Sequence, residues 1–347
     1  MVILQAVKVL SLTMLAFLIA FSLTPMLSRL LNRFRAAKQI RVSKETPIYA
    51  KLHEKKAGTP TMGGLVIWGT VALLAFLILI LSAMFDGFWD YLNFVDRAQT
   101  YLPLTAMIVA GLLGFVDDVF GVMRIGSSGG GLRVSQKLIM YFLIALIGAL
   151  WFYYRLDWDV LLVPLIGQVS IGWFYVPLFI FVIVASAFSA NETDGLDGLA
   201  GGVLLFAFIA LTVVAFTLGR YQLATFGGVV IGALLAFLWF NIYPARFFMG
   251  DTGSMSLGIT MGVIAMLTNT TLILPFFAPI LVIESASVII QVLSKRLRAK
   301  KVFLSTPIHH HFEALGWPET QVTMRFWIIS AVGSALGLAI FFLNRYL

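Results

Sequence analysis

The sequence predicts an all-α integral membrane protein with ten transmembrane helices, on three observations. Sixty per cent of its 347 residues are hydrophobic and 12% are charged, against about 25% charged residues in a soluble domain. Hydrophobic runs recur at the roughly 20-residue length that crosses a bilayer. Lys and Arg collect in alternate loops between those runs, as the positive-inside rule demands.

Taken in order, the predicted spans are 4–31, 63–84, 102–122, 136–154, 172–190, 199–218, 222–241, 253–269, 272–294 and 325–345. The first run is longer than the apolar stretch of a leader, and no small-residue cleavage site precedes Arg29 and Arg33, so it is read as a span. Nineteen of the 24 Lys and Arg fall in or beside the loops after spans 1, 3, 7 and 9. They are Arg29, Arg33, Arg35, Lys38, Arg41, Lys44, Lys51, Lys55 and Lys56, then Arg124, Arg133 and Lys137, then Arg246, then Lys295, Arg296, Arg298, Lys300, Lys301 and Arg325. Lys8, Arg97, Arg155, Arg220 and Arg345 lie on the other side. This bias predicts both termini outside and odd-numbered spans ending in the cytoplasm, as for a protein of an inner (plasma) membrane. It also accounts for the net charge of +8 without nucleic acid.

The outer loops are plainer. Residues 85–101 carry Asp86, Asp90 and Asp96, and residues 155–171 predict a hairpin lying at the interface. The absence of cysteine excludes disulfides and thiolate metal sites. With no internal repeat or low-complexity segment, residues 1–347 read as a single polytopic membrane domain.

Five unusual segments follow spans 1, 3, 5, 7 and 9, all on the predicted cytoplasmic side. They are KKAGTPTMGG (55–64), GFVDD (114–118), NETDGLDGLAGG (191–202), FMGDTGS (248–254) and TPIHHHFE (306–313). Asp117 and Asp118 are adjacent at the end of an apolar span, where carboxylates are costly unless a cation or wet cleft compensates. A C-terminal helix end further disfavours negative charge. Mg²⁺, which takes one or two carboxylates plus substrate phosphates, would explain the placement. Asp194 and Asp197 share a face if the next helix begins there, with Thr193 or Asn191 as its cap. Gly195 and Gly198 would let backbone approach a ligand. Asp251 lies in a glycine-rich turn before a span, a setting that suits phosphate and also an ordinary N-cap. Phe248 beside it could stack on a nucleobase or simply meet lipid.

Consecutive His309, His310 and His311 cannot all face one metal on a regular helix, which disfavours zinc and favours a hydrogen-bonding or phosphate-binding role. Glu284 lies inside the ninth span, where acids are functional candidates, although a structural role competes. Carboxylates, glycine-rich turns and basic residues at a membrane surface suit metal-assisted phosphoryl transfer between a charged soluble donor and a lipid acceptor. No GxxxxGK[ST] loop is present, which argues against an ATPase. A transporter would keep its acids near mid-membrane, where only Glu284 lies.

These segments resemble the bacterial phospho-N-acetylmuramoyl-pentapeptide transferases (translocase I), within the polyprenyl-phosphate N-acetylhexosamine-1-phosphate transferase superfamily. The resemblance runs over nearly the whole chain, through GTPTMGG (58–64), GFVDD, TDGLDGLA (193–200), MGDTGS (249–254) and TPIHHHFEALGWPE (306–319). The aspartate loops are shared across the superfamily. GTPTMGG and HHHFE favour the muramoyl branch over a sister enzyme that uses UDP-N-acetylglucosamine.

The resemblance implies that UDP-N-acetylmuramoyl-pentapeptide and undecaprenyl phosphate give lipid I and UMP, with Mg²⁺, in a homodimer with ten spans. It implies catalytic roles for Asp117, Asp118 and Asp251. Asp251 would hold the metal, Asp117 would act as base toward the lipid phosphate, and Asp118 would assist the metal or phosphate. Substrate-binding roles fall to Lys56, Thr61, Lys137, Asn191, Asp194, Asp197, Asn241 and Phe248, with Phe248 stacked on uracil. His309, His310 and His311 would meet the sugar or phosphate side. The chain departs from the family pattern at Gly121, where a Lys is usual, at Phe188 and Glu192, which replace an Asn and a Leu, and in the SSGGG run at 127–131.

Overall fold

A computed structural model describes residues 1–34, 36, 56, 58–95, 98–126 and 130–346. Arg35, Lys38, Arg41, Lys44, Lys51, Lys55, Asp96 and Arg97 lie outside the described residues, as do residues 127–129 of the SSGGG run. Ten helices of 17 residues or more run through the described chain. They are α1 (Val2–Arg33), α2 (Leu65–Met84), α3 (Ala98–Met123), α4 (Val134–Arg155), α5 (Tyr175–Thr193), α6 (Leu199–Thr217), α7 (Tyr221–Asn241), α8 (Asp251–Leu267), α9 (Pro279–Arg298) and α10 (Glu319–Tyr346). Eight are long and apolar enough to cross a membrane by themselves. The other two are α8, whose 17 residues span only about 25 Å at 1.5 Å per residue, and α9, whose last turn carries Lys295, Arg296 and Arg298.

The ninth predicted span, 272–294, is not one helix. A short helix, Leu274–Phe277, ends at Ala278, and α9 starts afresh at Pro279. The cause is local: proline lacks an N–H and pushes its predecessor out of the helical region, and Ala278 has φ −133° and ψ 54°. The predicted hairpin is present as β1 (Val160–Val163) and β2 (Gly167–Ser170), paired antiparallel. Its amides reach Asn269 and Asn344, at the ends of α8 and α10 away from the five motif segments.

Small residues set the packing. Every residue of α8 except Asp251 is buried. A Cβ on Gly258 would lie 2.7 Å from the Ser186 carbonyl of α5, and one on Gly262 would lie 2.9 Å from Ile183. Such small-xxx-small spacing is how apolar helices approach closely when lipid offers no hydrophobic drive. A Cβ on Gly114 of α3 would lie 2.3 Å from the Asp251 carbonyl. These contacts bring the site-bearing ends of α3, α5 and α8 to one level. Gly228 and Gly232 of α7 admit α1 in the same way, with Thr13 as the neighbour.

An apolar groove of about 940 Å³ runs between α4, α5, α8 and α9, lined by residues including Leu138, Phe142, Phe188, Ser189, Met261 and Ser285.

Candidate active site

The turn that leads into α8 is the frame of the site. Pro60 accepts the Phe248 amide at 2.8 Å, and the Gly63 and Gly64 amides donate to the Phe248 and Met249 carbonyls at 2.8 and 2.9 Å. The segment 60–64 therefore lies along 248–249 like a short strand. Its glycines are required by contact, because a Cβ on Gly64 would lie 2.1 Å from the Gly253 Cα and one on Gly63 would lie 2.2 Å from the Phe247 ring. Thr252, at the second position of α8, accepts from the Trp68 indole at 3.1 Å and donates to the Gly111 carbonyl at 3.0 Å. One hydroxyl thus ties α2, α3 and α8 together.

The glycine-rich start of α8 does not form an open phosphate cradle. Asp194 accepts the Gly250 amide and Asp118 accepts the Thr252 amide, both at 3.0 Å. The Gly253 and Ser254 amides donate to the Gly250 carbonyl at 3.1 and 3.0 Å. Asp118 and Asp194 cap this helix start, where negative charge is favoured. Asp118 also faces the buried Thr61, whose hydroxyl is 3.4 Å away.

Asp251 projects from this frame toward a cation. Lys137 of α4 bonds Asp251 and also lies 2.8 Å from Asp117, so two carboxylates from different helices converge on one ammonium. Asn191 of α5 adds an amide at 2.7 Å from Asp251 and 3.1 Å from Ser254. Asp117, itself buried, also accepts the Leu132 amide. Among the described residues no three His, Cys, Asp or Glu form a closed metal cage. Two hard carboxylates sharing one cation position fit Mg²⁺, whose remaining ligands are typically phosphate oxygens and water.

A second cluster surrounds Lys56. It bonds Asp197 at 2.6 Å and Glu319 at the start of α10, and it stands 5.7 Å from the centre of the Phe248 ring. Burial works against the charged amine, but Glu319 and Asp197 outweigh it and hold the Lys56 pKa above its usual value. Asp197 also accepts the Ala245 amide at 3.0 Å.

Several expectations are corrected. Asp194 and Asp197 do not share a helix face: α5 runs on to Thr193, Asp194 is its C-cap, and α6 starts only at Leu199. Neither Thr193 nor Asn191 caps α6, because Thr193 donates back to the Ser189 carbonyl and Asn191 is spent on α8. Gly195 makes room for the His309 ring, whose Nε2 would lie 2.2 Å from a Cβ there. Asn241 is tied to backbone on both sides, accepting the Gly198 amide at 3.0 Å and donating to the Phe247 carbonyl at 2.8 Å.

The three histidines lie on a helix, Ile308–Ala314, with the His309 and His310 rings edge to face, and each takes a different partner. His309 meets Glu284 at 2.9 Å, His310 meets Glu313 at 2.6 Å, and His311 accepts the Leu304 amide at 3.2 Å. Sequence reasoning did not single out Glu319, Thr252 or Ser254. The visible signal for Glu319 was an acid directly after Pro318, at the basic-side start of the last span.

Comparison with known proteins places this geometry. A family model described as glycosyl transferase family 4 matches residues 100–269. A signature of the phospho-N-acetylmuramoyl-pentapeptide-transferases matches residues 56–67, the segment that carries Lys56 and clamps 248–249. A phospho-N-acetylmuramoyl-pentapeptide-transferase of Anoxybacillus flavithermus is 40% identical over 94% of this chain and 95% of its own length. The chain belongs to the phospho-N-acetylmuramoyl-pentapeptide-transferase family. Further members, from Acetivibrio thermocellus and Geobacillus thermodenitrificans, are each 39% identical, over 93% and 94% of this chain and 92% and 95% of their own lengths. Against the expected family pattern, Phe188 lines the apolar groove and Glu192 lies within electrostatic range of Lys137, His309 and Asp251. At Gly121 a Cβ would meet open space.

Proposed function

We propose that this protein transfers phospho-N-acetylmuramoyl-pentapeptide from its UDP donor to undecaprenyl phosphate, releasing UMP and forming lipid I. The observation that carries this reading is family membership across nearly the full length, with the branch signature lying on the Lys56 segment. The convergence of Asp117, Lys137 and Asp251 supplies the chemistry.

The donor's uridine lies by Phe248 and Lys56, with its diphosphate between that pair and Asp251. The acceptor's polyprenyl chain lies in the groove between α4, α5 and α9, whose wall includes Leu138, next in sequence to Lys137, and Ser189, two residues before Asn191. An oxygen of the lipid phosphate attacks the sugar-linked phosphorus. The new P–O bond forms as the bond to the bridging oxygen breaks, and UMP leaves with that electron pair. Asp117 orients the attacking phosphate and takes its proton when one is present. Lys137 and Asn191 fix Asp251. Asp251, with Asp117 beside it, would hold Mg²⁺, which when bound offsets charge on the diphosphate and on departing UMP. The positive loops after odd-numbered helices support a cytoplasmic position for this end of the bundle, in a ten-span arrangement.

Release of UMP by purified protein tests the reading. UDP-N-acetylmuramoyl-pentapeptide is expected to support turnover and UDP-N-acetylglucosamine is not; the reverse preference refutes the donor. Asp251→Asn is expected to abolish Mg²⁺-dependent turnover in a folded protein, and near-normal turnover defeats the metal role.

A further inference from the structure

Glu284 is fully buried, on α9 shortly after the break at Pro279. Its Oε2 meets His309 Nδ1 at 2.9 Å, while its Oε1 and the His309 Nε2 have no hydrogen-bond partner among the described residues. A buried acid beside an imidazole is a weak way to add stability, since an apolar pair of the same volume usually does as well. What the pair does achieve is orientation. With Nδ1 held by Glu284, Nε2 is directed at Gly195, where the missing side chain leaves it room. Gly195 lies between Asp194, which caps α8, and Asp197, which binds Lys56. A buried ring nitrogen with no hydrogen-bond partner among the described residues therefore stands at that turn.

We infer that Glu284 is a positioning residue: it keeps His309 doubly protonated and aims Nε2–H at an anionic oxygen of the donor bound over the 194–198 turn. This rests on the proposed reading that the donor's diphosphate lies there. Burial works against a charged His309, yet Glu284, foremost among the acids Glu284, Glu313 and Glu192, helps outweigh it and raise the pKa above the usual 6.5. The other titratable groups facing the ring are Glu313 and His310 on its own helix and Glu192 from α5. Since Glu313 is already engaged by His310, Glu284 is the partner that decides the state of His309.

The test is Glu284→Gln, which keeps the volume and an acceptor oxygen but removes the charge. His309 should then lose its proton at a lower pH than in the wild type, so the wild-type to variant ratio of kcat/KM should rise as pH is raised from 6 to 8. A ratio constant over that range overturns the inference. Nitrogen-15 NMR of the histidine side chains reads the pair independently of turnover. His309 should titrate above 6.5 in the wild type and at a lower pH in the variant. Wild-type titration near 6.5 also overturns it. A wild type that keeps the proton but releases no UMP defeats the proposed reaction and, with it, the substrate-facing half of the inference, while confirming the pairing itself.

Discussion

Lys56 shows how one side chain can join a binding surface to the fold. Its ammonium neutralises Asp197 and Glu319 while lying against Phe248. Lys56→Met leaves two mostly buried acids without their cation. Removing one partner of a fully buried pair costs about 3–5 kcal/mol, and the remaining exposure of Lys56 should reduce this to about 2 kcal/mol. The expected outcome is a lower Tm in detergent together with a raised KM for the donor; a normal KM defeats the binding role. The pH dependence follows from the raised pKa. Stability from this contact is complete below the ordinary 10.5 and is lost only as pH rises through the higher folded value. Thermal stability linked to Lys56 should therefore be flat from pH 6 to 9. The types and places of these residues were legible in the sequence, because acids and glycines beside apolar runs are conspicuous. Their partners were not. Nothing in GDTGS says that its amides are already held by Asp118 and Asp194, since those carboxylates come from 134 and 56 residues away.

Among the helices, periodicity and length located nine of the ten predicted runs as single helices, eight of them long and apolar enough to cross a membrane, because an apolar run about 20 residues long has few alternatives in a bilayer. The ninth failed at Pro279, where hydropathy stays high across a backbone break that only proline sterics reveal. Helix docking depends on glycines that look unremarkable in an apolar run. Gly232→Leu on α7 drives a Cβ to within 2.1 Å of the Thr13 carbonyl, a backbone atom that cannot swing aside. The variant is expected to lose about 3 kcal/mol, near the upper end for overpacking, and to show as a fall in Tm. Gly121→Ala is the control: its Cβ meets nothing within 4 Å, and its Tm should hold or rise. Equal Tm values for the two variants would show that α1 does not dock through this stripe.

The molecule as a whole is a bundle with one reactive end. All five motif segments meet there, while the hairpin closes off the ends of α8 and α10 opposite. The orientation argued from Lys and Arg can be read directly, because the chain has no cysteine. Single variants Asp159→Cys and Lys300→Cys should differ in intact cells. A membrane-impermeant thiol reagent should label the first and spare the second until the cells are opened. The opposite pattern inverts the proposed topology.

The groove beside α9 has a kinetic meaning. Its walls are apolar side chains of α4, α5 and α9, and they include Leu138, the residue next to Lys137 in the chain. The water-soluble donor arrives from three dimensions, whereas the acceptor reaches the same phosphorus by diffusing in a plane. Its effective concentration is then a mole fraction in the bilayer. Adding inert lipid at a fixed bulk amount of acceptor should slow the enzyme, so the area of the membrane itself becomes a variable of the rate law.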